Sequence, residues 1–179
     1  MEKNKKLKIL NIVQGYYPVK GGAELFIRTL SEYQANVLGY DVDVWTTNVR
    51  RPDQYWNIKD EPITPSEENI KGVDVRRFEI GKGILKNVFV NKVFSIVGSN
   101  LPFFKIANML STPTTYGMLD IVNSDKLEDY DCVTVSASPY FFLFYVAYLV
   151  SKKLSIPLVI SPALHIGVEK DFLLRMKYL

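Results

Sequence analysis

Residues 8–24, KILNIVQGYYPVKGGAE, commit the chain to a strand that stops at a glycine-bearing loop and turns into a helix. Ile9, Leu10, Ile12 and Val13 make an apolar run too short for most helices, which predicts a strand over 7–14. The loop after it holds Gly15, Pro18, Gly21 and Gly22. From Gly22 the spacing turns helical. Ala23, Phe26, Ile27, Leu30, Gln34 and Val37 are expected to share one face, with Glu24, Arg28, Ser31 and Glu32 mostly off it. Gly39 is a natural stop. In DVDVWTT, 41–47, Val42 and Val44 alternate with Asp41 and Asp43, the pattern of a second strand. Strand, helix and strand in this order form a βαβ unit, whose crossover is expected to be right-handed. Its helix start offers unpaired N–H groups and a positive dipole end to an anion, and glycine lets a ligand approach the backbone.

The alternation continues along the chain. GVDVRRFEI, 72–80, reads as the third strand, DCVTVSA, 131–137, as the fourth and IPLVIS, 156–161, as the fifth. The last is a near-continuous apolar run of the kind buried in parallel sheets. Between the fourth and fifth, Tyr140–Leu154 reads as a helix opened by Ser138 and Pro139, apolar nearly all round and so expected to be buried on most faces. A short helical tail is expected over 168–179. Residues 48–71, polar and with Pro52, Pro62 and Pro65, read as a long loop or a small insertion. Residues 82–119 carry Lys82, Lys86, Lys92 and Lys105 among aliphatic and aromatic side chains, with no acidic residue, and break into two helices at Gly98 and Pro102. The fold class that follows is α/β: a Rossmann-like, doubly wound, mostly parallel sheet. Ligands of such sheets bind beyond the carboxyl ends of the strands, here 14–22, 46–48, 136–139 and 161–167.

The 179 residues suit one domain, or one with a small extra, and 47% hydrophobic content supplies a core. A net charge of +3 is too weak to argue for nucleic acid, and 82–119 has no arginine to strengthen that reading. The single cysteine, Cys132, has no internal disulfide partner, which points to a reducing, cytoplasmic setting. The N-terminal lysines and the interrupted apolar run after them read as a first strand rather than a signal peptide. The longest apolar run, 140–150, has 11 residues, against the roughly 20 that span a bilayer.

PVKGGAE after a first strand, a helix ending at Gly39, and then GYDVDVWT resemble the start of the GT-B glycosyltransferases of family 4. The pattern there is P-x-x-GG-A/x-E, a helix, and G-H-x-V-x-V-x-T; Tyr40 stands where histidine is usual. DYDCVTVSASP, a greasy helix and IPLVISPALH resemble the family's later paired strands, the second ending in a histidine-bearing loop. The likeness covers 7–47 and 129–168, while 48–71 and 82–119 are variable insert or interface segments. It implies that 1–179 form the N-terminal, acceptor-side half of a GT-B fold. The donor half, which holds a nucleotide sugar and carries Glu-x7-Glu, is then outside the chain. Glu24 and Glu32 have that spacing but sit in the first helix of the N-terminal pattern, and are read as a coincidence.

Site expectations follow from both sources. At the helix start Gly21 and Gly22 are candidates to face a donor or acceptor phosphate, with Lys20 adding charge; the bland alternative is a tight packing turn. Glu24 suits the first turn electrostatically and is also a candidate acceptor contact, as are Tyr16 and Ser138, the latter first of all an N-cap. The resemblance puts His165, the only histidine, in a cleft-facing place where it would orient the acceptor or phosphate, or act as a base. Asp41-x-Asp43 and Asp129-x-Asp131 imitate a metal-binding DxD, but their places in the strand pattern argue against metal ligation. No P-loop and no G-x-G-x-x-G follow the first strand, which disfavours a nicotinamide cofactor. The expected function is glycosyl transfer from a nucleotide sugar to a saccharide or lipid-linked acceptor, with no cofactor or metal. Residues 82–119 are a candidate contact with an anionic membrane on the cytoplasmic face. The alternative is a non-catalytic Rossmann-like binding module or partner subunit.

Overall fold

The computed structural model describes residues 6–51, 61–80, 114–137 and 141–161. Strands β1 (Lys8–Val13), β2 (Asp41–Thr47), β3 (Glu67–Ile70), β4 (Val73–Phe78), β5 (Cys132–Ser136) and β6 (Leu158–Ile160) form one sheet in the order β3-β4-β2-β1-β5-β6. All neighbours are parallel except β3 and β4, which form an antiparallel hairpin through Lys71 (φ 51°) and Gly72 (φ 84°). The described helices are α1 (Gly22–Asn36), α2 (Tyr116–Asn123) and α3 (Phe141–Leu154).

Strand alternation divides the core in two. Val42, Val44, Val73 and Val75 pack with Val13, Tyr16 and Ile27 under α1. Leu10, Ile12, Trp45, Phe78, Val133 and Val135 pack with α2 and α3 on the other face. Each large side chain buried in this way contributes about 1.5–3 kcal/mol. The order also creates a switch point. From β1 the chain crosses to β2 on one side, while the other neighbour of β1 is β5. The crevice between the carboxyl ends of β1 and β5 is the place where an open α/β sheet receives a ligand.

Several expectations need correction. Residues 67–70, within the stretch read as a long loop or a small insertion, form β3, and residues 116–123 form α2 across the end of the 82–119 segment. The inward face of α1 is Ala23, Glu24, Ile27 and Ser31, whereas Phe26 and Val37 are exposed. The reason lies in β1. Asn11 is fully buried under the helix and donates from Nδ2 to Ser31 Oγ (2.9 Å) and Gln34 Oε1 (2.7 Å), so the strand requires polar partners there. The helix α3 is buried along Phe142, Leu143, Val146, Ala147 and Val150 only, with Tyr145 and Tyr148 exposed. The strand β6 lies at the edge of the described sheet, and Val159 and Ile160 are exposed. No helix among the described residues is long and apolar enough to cross a membrane.

Candidate functional site

The loop at the carboxyl end of β1 is built from inside outwards. Val13 passes into Gln14, Gly15 and Tyr16, all buried, and the chain surfaces at Tyr17 and Pro18. Val19 N–H donates to Tyr16 O (2.9 Å), closing a turn that returns Val19 to the interior. Lys20, Gly21 and Gly22 are then exposed, and α1 begins. Tyr16, expected to touch an acceptor, is instead 1% exposed and packs among Val13, Ile27, Val42 and Val44. Burial first, and the Glu32 charge second, push its phenol up to about 12, so it stays neutral and anchors the loop in the core.

Glu24, in the first turn of α1, is the buried acid beside the loop. Its Oε1 accepts from Gln14 Nε2 at 3.0 Å. Its Oε2 lies so close to Gly21 that a Cβ there would come within 2.1 Å of it. Gly21 is the N-cap residue, with extended backbone (φ −167°) that any residue adopts, so what a side chain there would displace is this carboxylate. Gly22 differs: a Cβ there would meet nothing within 4 Å. The two glycines therefore have different work. Gly21 makes room for the chain's own carboxylate at the positive end of α1, and Gly22 borders open space at the first turn.

Neighbouring strands fix this loop. Thr47 Oγ1, at the end of β2, donates to Gln14 O. Arg77, on β4, donates from Nη2 to Tyr17 O (2.9 Å) and from Nη1 to Pro65 O (3.0 Å), and pairs with Glu68 on β3. Gln14 and Arg77 were not among the sequence candidates. A signal for each was present: Gln14 closes an apolar strand, and Arg77 follows Val73 and Val75 at the inward position of an alternating one. Ser138 and His165 lie outside the described residues, as do 168–179 and most of 82–119. The structure thus places Tyr16, Lys20 and Gly21 in the loop after β1, and Gly22 and Glu24 in the first turn of α1.

A concavity of about 420 Å³ opens away from this loop, at the opposite, amino-terminal ends of β1, β2 and β4. Asp43 of the DVD sequence lies in it, accepting from Tyr130 Oη (2.7 Å) and facing Lys8 Nζ (3.7 Å), which also pairs with Glu128. Among the described residues no group of three or more acidic, histidine or cysteine side chains is arranged to hold a metal. Burial raises the Asp43 carboxyl above the usual range, against the opposing pull of Tyr130 and Lys8. Burial also works against the Lys8 ammonium, but its acidic neighbours outweigh it and hold the group above its ordinary value.

The Asp43 shift has a stability consequence. An acid whose folded-state pKa is raised binds its proton more tightly when folded, so its ionisation destabilises the fold as pH rises through that value. Asp43→Asn keeps an acceptor for Tyr130 and removes the ionisation. It is expected to be more stable than the wild type at pH 7, by about 1 kcal/mol or less. The difference should close below the ordinary aspartate pKa of about 3.9. Urea denaturation at the two pH values measures this, and a larger advantage at the acidic value would contradict it.

Compared with known proteins, the chain matches no protein-family model and has no significant match among curated proteins.

Proposed function

We propose that this chain is the acceptor-side half of a GT-B-type glycosyltransferase. The observation that carries the reading is the exposed Lys20–Gly22 edge, set beside the β1/β5 switch point of an open, mostly parallel sheet. The family resemblance of 7–47 and 129–168 adds to it. In this reading a second α/β half, from further residues or a partner chain, brings the nucleotide sugar. The acceptor oxygen bonds to the anomeric carbon, the bond from that carbon to the diphosphate oxygen breaks, and the acceptor proton passes to a base or to the departing phosphate.

The loop would contribute position and charge. Gly22 lets a polar group approach the first turn of α1, and Lys20 offsets negative charge on a diphosphate. Glu24, held by Gln14, accepts a hydrogen bond from an acceptor hydroxyl once its Oε2 is approached from the Gly21 side. His165 keeps the role that the resemblance gives it, orienting the acceptor or taking its proton. A cytoplasmic setting, and contact of 82–119 with an anionic membrane that presents a lipid-linked acceptor, belong to the same proposal.

The test is a transfer assay on the full gene product, with a panel of nucleotide sugars and saccharide or lipid acceptors. Acceptor-dependent release of nucleoside diphosphate is expected, and the isolated 179 residues are expected to give none. Transfer by those residues alone would contradict the two-half reading. Binding of nucleotide sugar without turnover by the full product would favour a non-catalytic module. Binding of NADH in preference to nucleotide sugars would move the assignment to an oxidoreductase.

A further inference from the structure

We propose that Arg77 is a positioning residue that sets the shape of the glycine loop from two strands away; its relevance to catalysis rests on the function proposed above. Val73, Val75 and Arg77 share one face of β4. The first two are core residues under α1, and the third is a guanidinium whose side chain is 1% exposed. A buried cation is costly unless paired and hydrogen-bonded, and an aliphatic residue of similar length would fill such a place at less cost.

What the guanidinium adds is geometry. Its planar fork reaches two carbonyls from two loops, Tyr17 O of the glycine loop and Pro65 O of the segment leading to β3. Glu68 on β3 supplies the counter-charge. The backbone continues the same seam, with Arg77 N–H donating to Ser66 O at 2.6 Å. A lysine supplies the charge but not two fixed, coplanar donors. The short β3 acquires a purpose from this: it carries Glu68 to the guanidinium. The bond to Tyr17 O fixes the loop immediately after Tyr16, in the core, and ahead of Gly21, at the start of α1. Without it the loop keeps the turn from Tyr16 to the buried Val19 but loses its tie to β4, and the spacing between Gly22 and the β1/β5 crevice is free to vary.

Arg77→Lys and Arg77→Met, made in the full gene product, test this by amide hydrogen exchange followed by peptide. Both variants are expected to exchange at least tenfold faster in peptides covering residues 15–22 and 61–66, with β1, β2 and β5 unchanged, and lysine is expected not to restore protection. Equal acceleration across the sheet would overturn the proposal, as would unchanged exchange in 15–22. If the wild type transfers sugar, the variants should also raise the KM for acceptor by more than they lower kcat, and an unchanged KM would overturn the catalytic part. Absence of transfer by the wild type would instead remove the proposed function, and the exchange pattern would still decide whether Arg77 sets the loop.

Discussion

Tyr16→Ala is expected to destabilise the chain by about 3–5 kcal/mol, the cost of removing a large aromatic from a packed core. Tyr16 sits in the loop after β1, 1% exposed, against Val13, Ile27, Val42 and Val44. These residues come from two strands and a helix, so the resulting cavity has little freedom to collapse. The adjacent Tyr17→Ala should change stability by less than about 0.5 kcal/mol. Tyr17 is 52% exposed, and the carbonyl that Arg77 grips belongs to the backbone and survives the substitution. Chemical denaturation of the two variants gives the comparison. Equal losses would mean that the loop is not anchored through Tyr16. A Tyr16→Phe variant should retain most of the stability, because ring volume rather than acidity anchors the loop.

Gly21→Ala should cost about 1–3 kcal/mol, through loss of the hydrogen bond between Gln14 and the buried Glu24 carboxyl group. The new methyl would lie within 2.1 Å of Glu24 Oε2, and that carboxylate is held by Gln14. The backbone at Gly21 is extended and imposes no penalty of its own. The loss should therefore depend on Glu24. In a Glu24→Ala background the same substitution should cost less than about 1 kcal/mol, a coupling that a double-mutant cycle measures directly. Gly22→Ala should stay within about 0.5 kcal/mol of the wild type. Gly22→Val, in the full gene product, should lower turnover per folded molecule more than it lowers stability. If Gly22→Val proved as destabilising as Gly21→Ala with turnover per folded molecule unchanged, the open first turn would be only a packing feature.

The parallel frame was legible because its strands carry long enough apolar patterns to announce themselves. LNIV, DVDV, VDV and CVTV each alternate or run apolar, and the βαβ order follows from them. The strand β3 was not legible. EENI has two glutamates and an asparagine in four residues and becomes a strand only by pairing with β4. The orientation of α1 was misjudged for a related reason. Helical periodicity identifies the apolar side, but the surface awaiting the helix includes Asn11, which selects Ser31 and Gln34. At the site, the glycines identified the loop, while its supports are polar side chains on other strands. Thr47 and Arg77 reach it only after the sheet has brought β2 and β4 alongside. The division of labour between Gly21 and Gly22 depends on where one carboxylate lies, which spacing does not encode.

The polar seam between α1 and β1 bears on how the chain avoids a wrong answer while folding. Phe26, Tyr33 and Val37 lie outward on α1, exposed by half or more or nearly so, at 49%, 50% and 63%. A helix rolled about its axis would bury this greasier stripe against the sheet, and hydrophobic collapse alone favours that misdocked arrangement. In it, Asn11 would lose both acceptors and Gln14 would lose the Glu24 carboxylate, stranding them in the interior. The Asn11 and Gln14 amides therefore act as a key, admitting the helix in one rotational setting and rejecting the oilier one. Replacing Asn11 with leucine removes part of the key. Such a variant is expected to populate the rolled state during refolding, as a kinetic phase additional to those of the wild type.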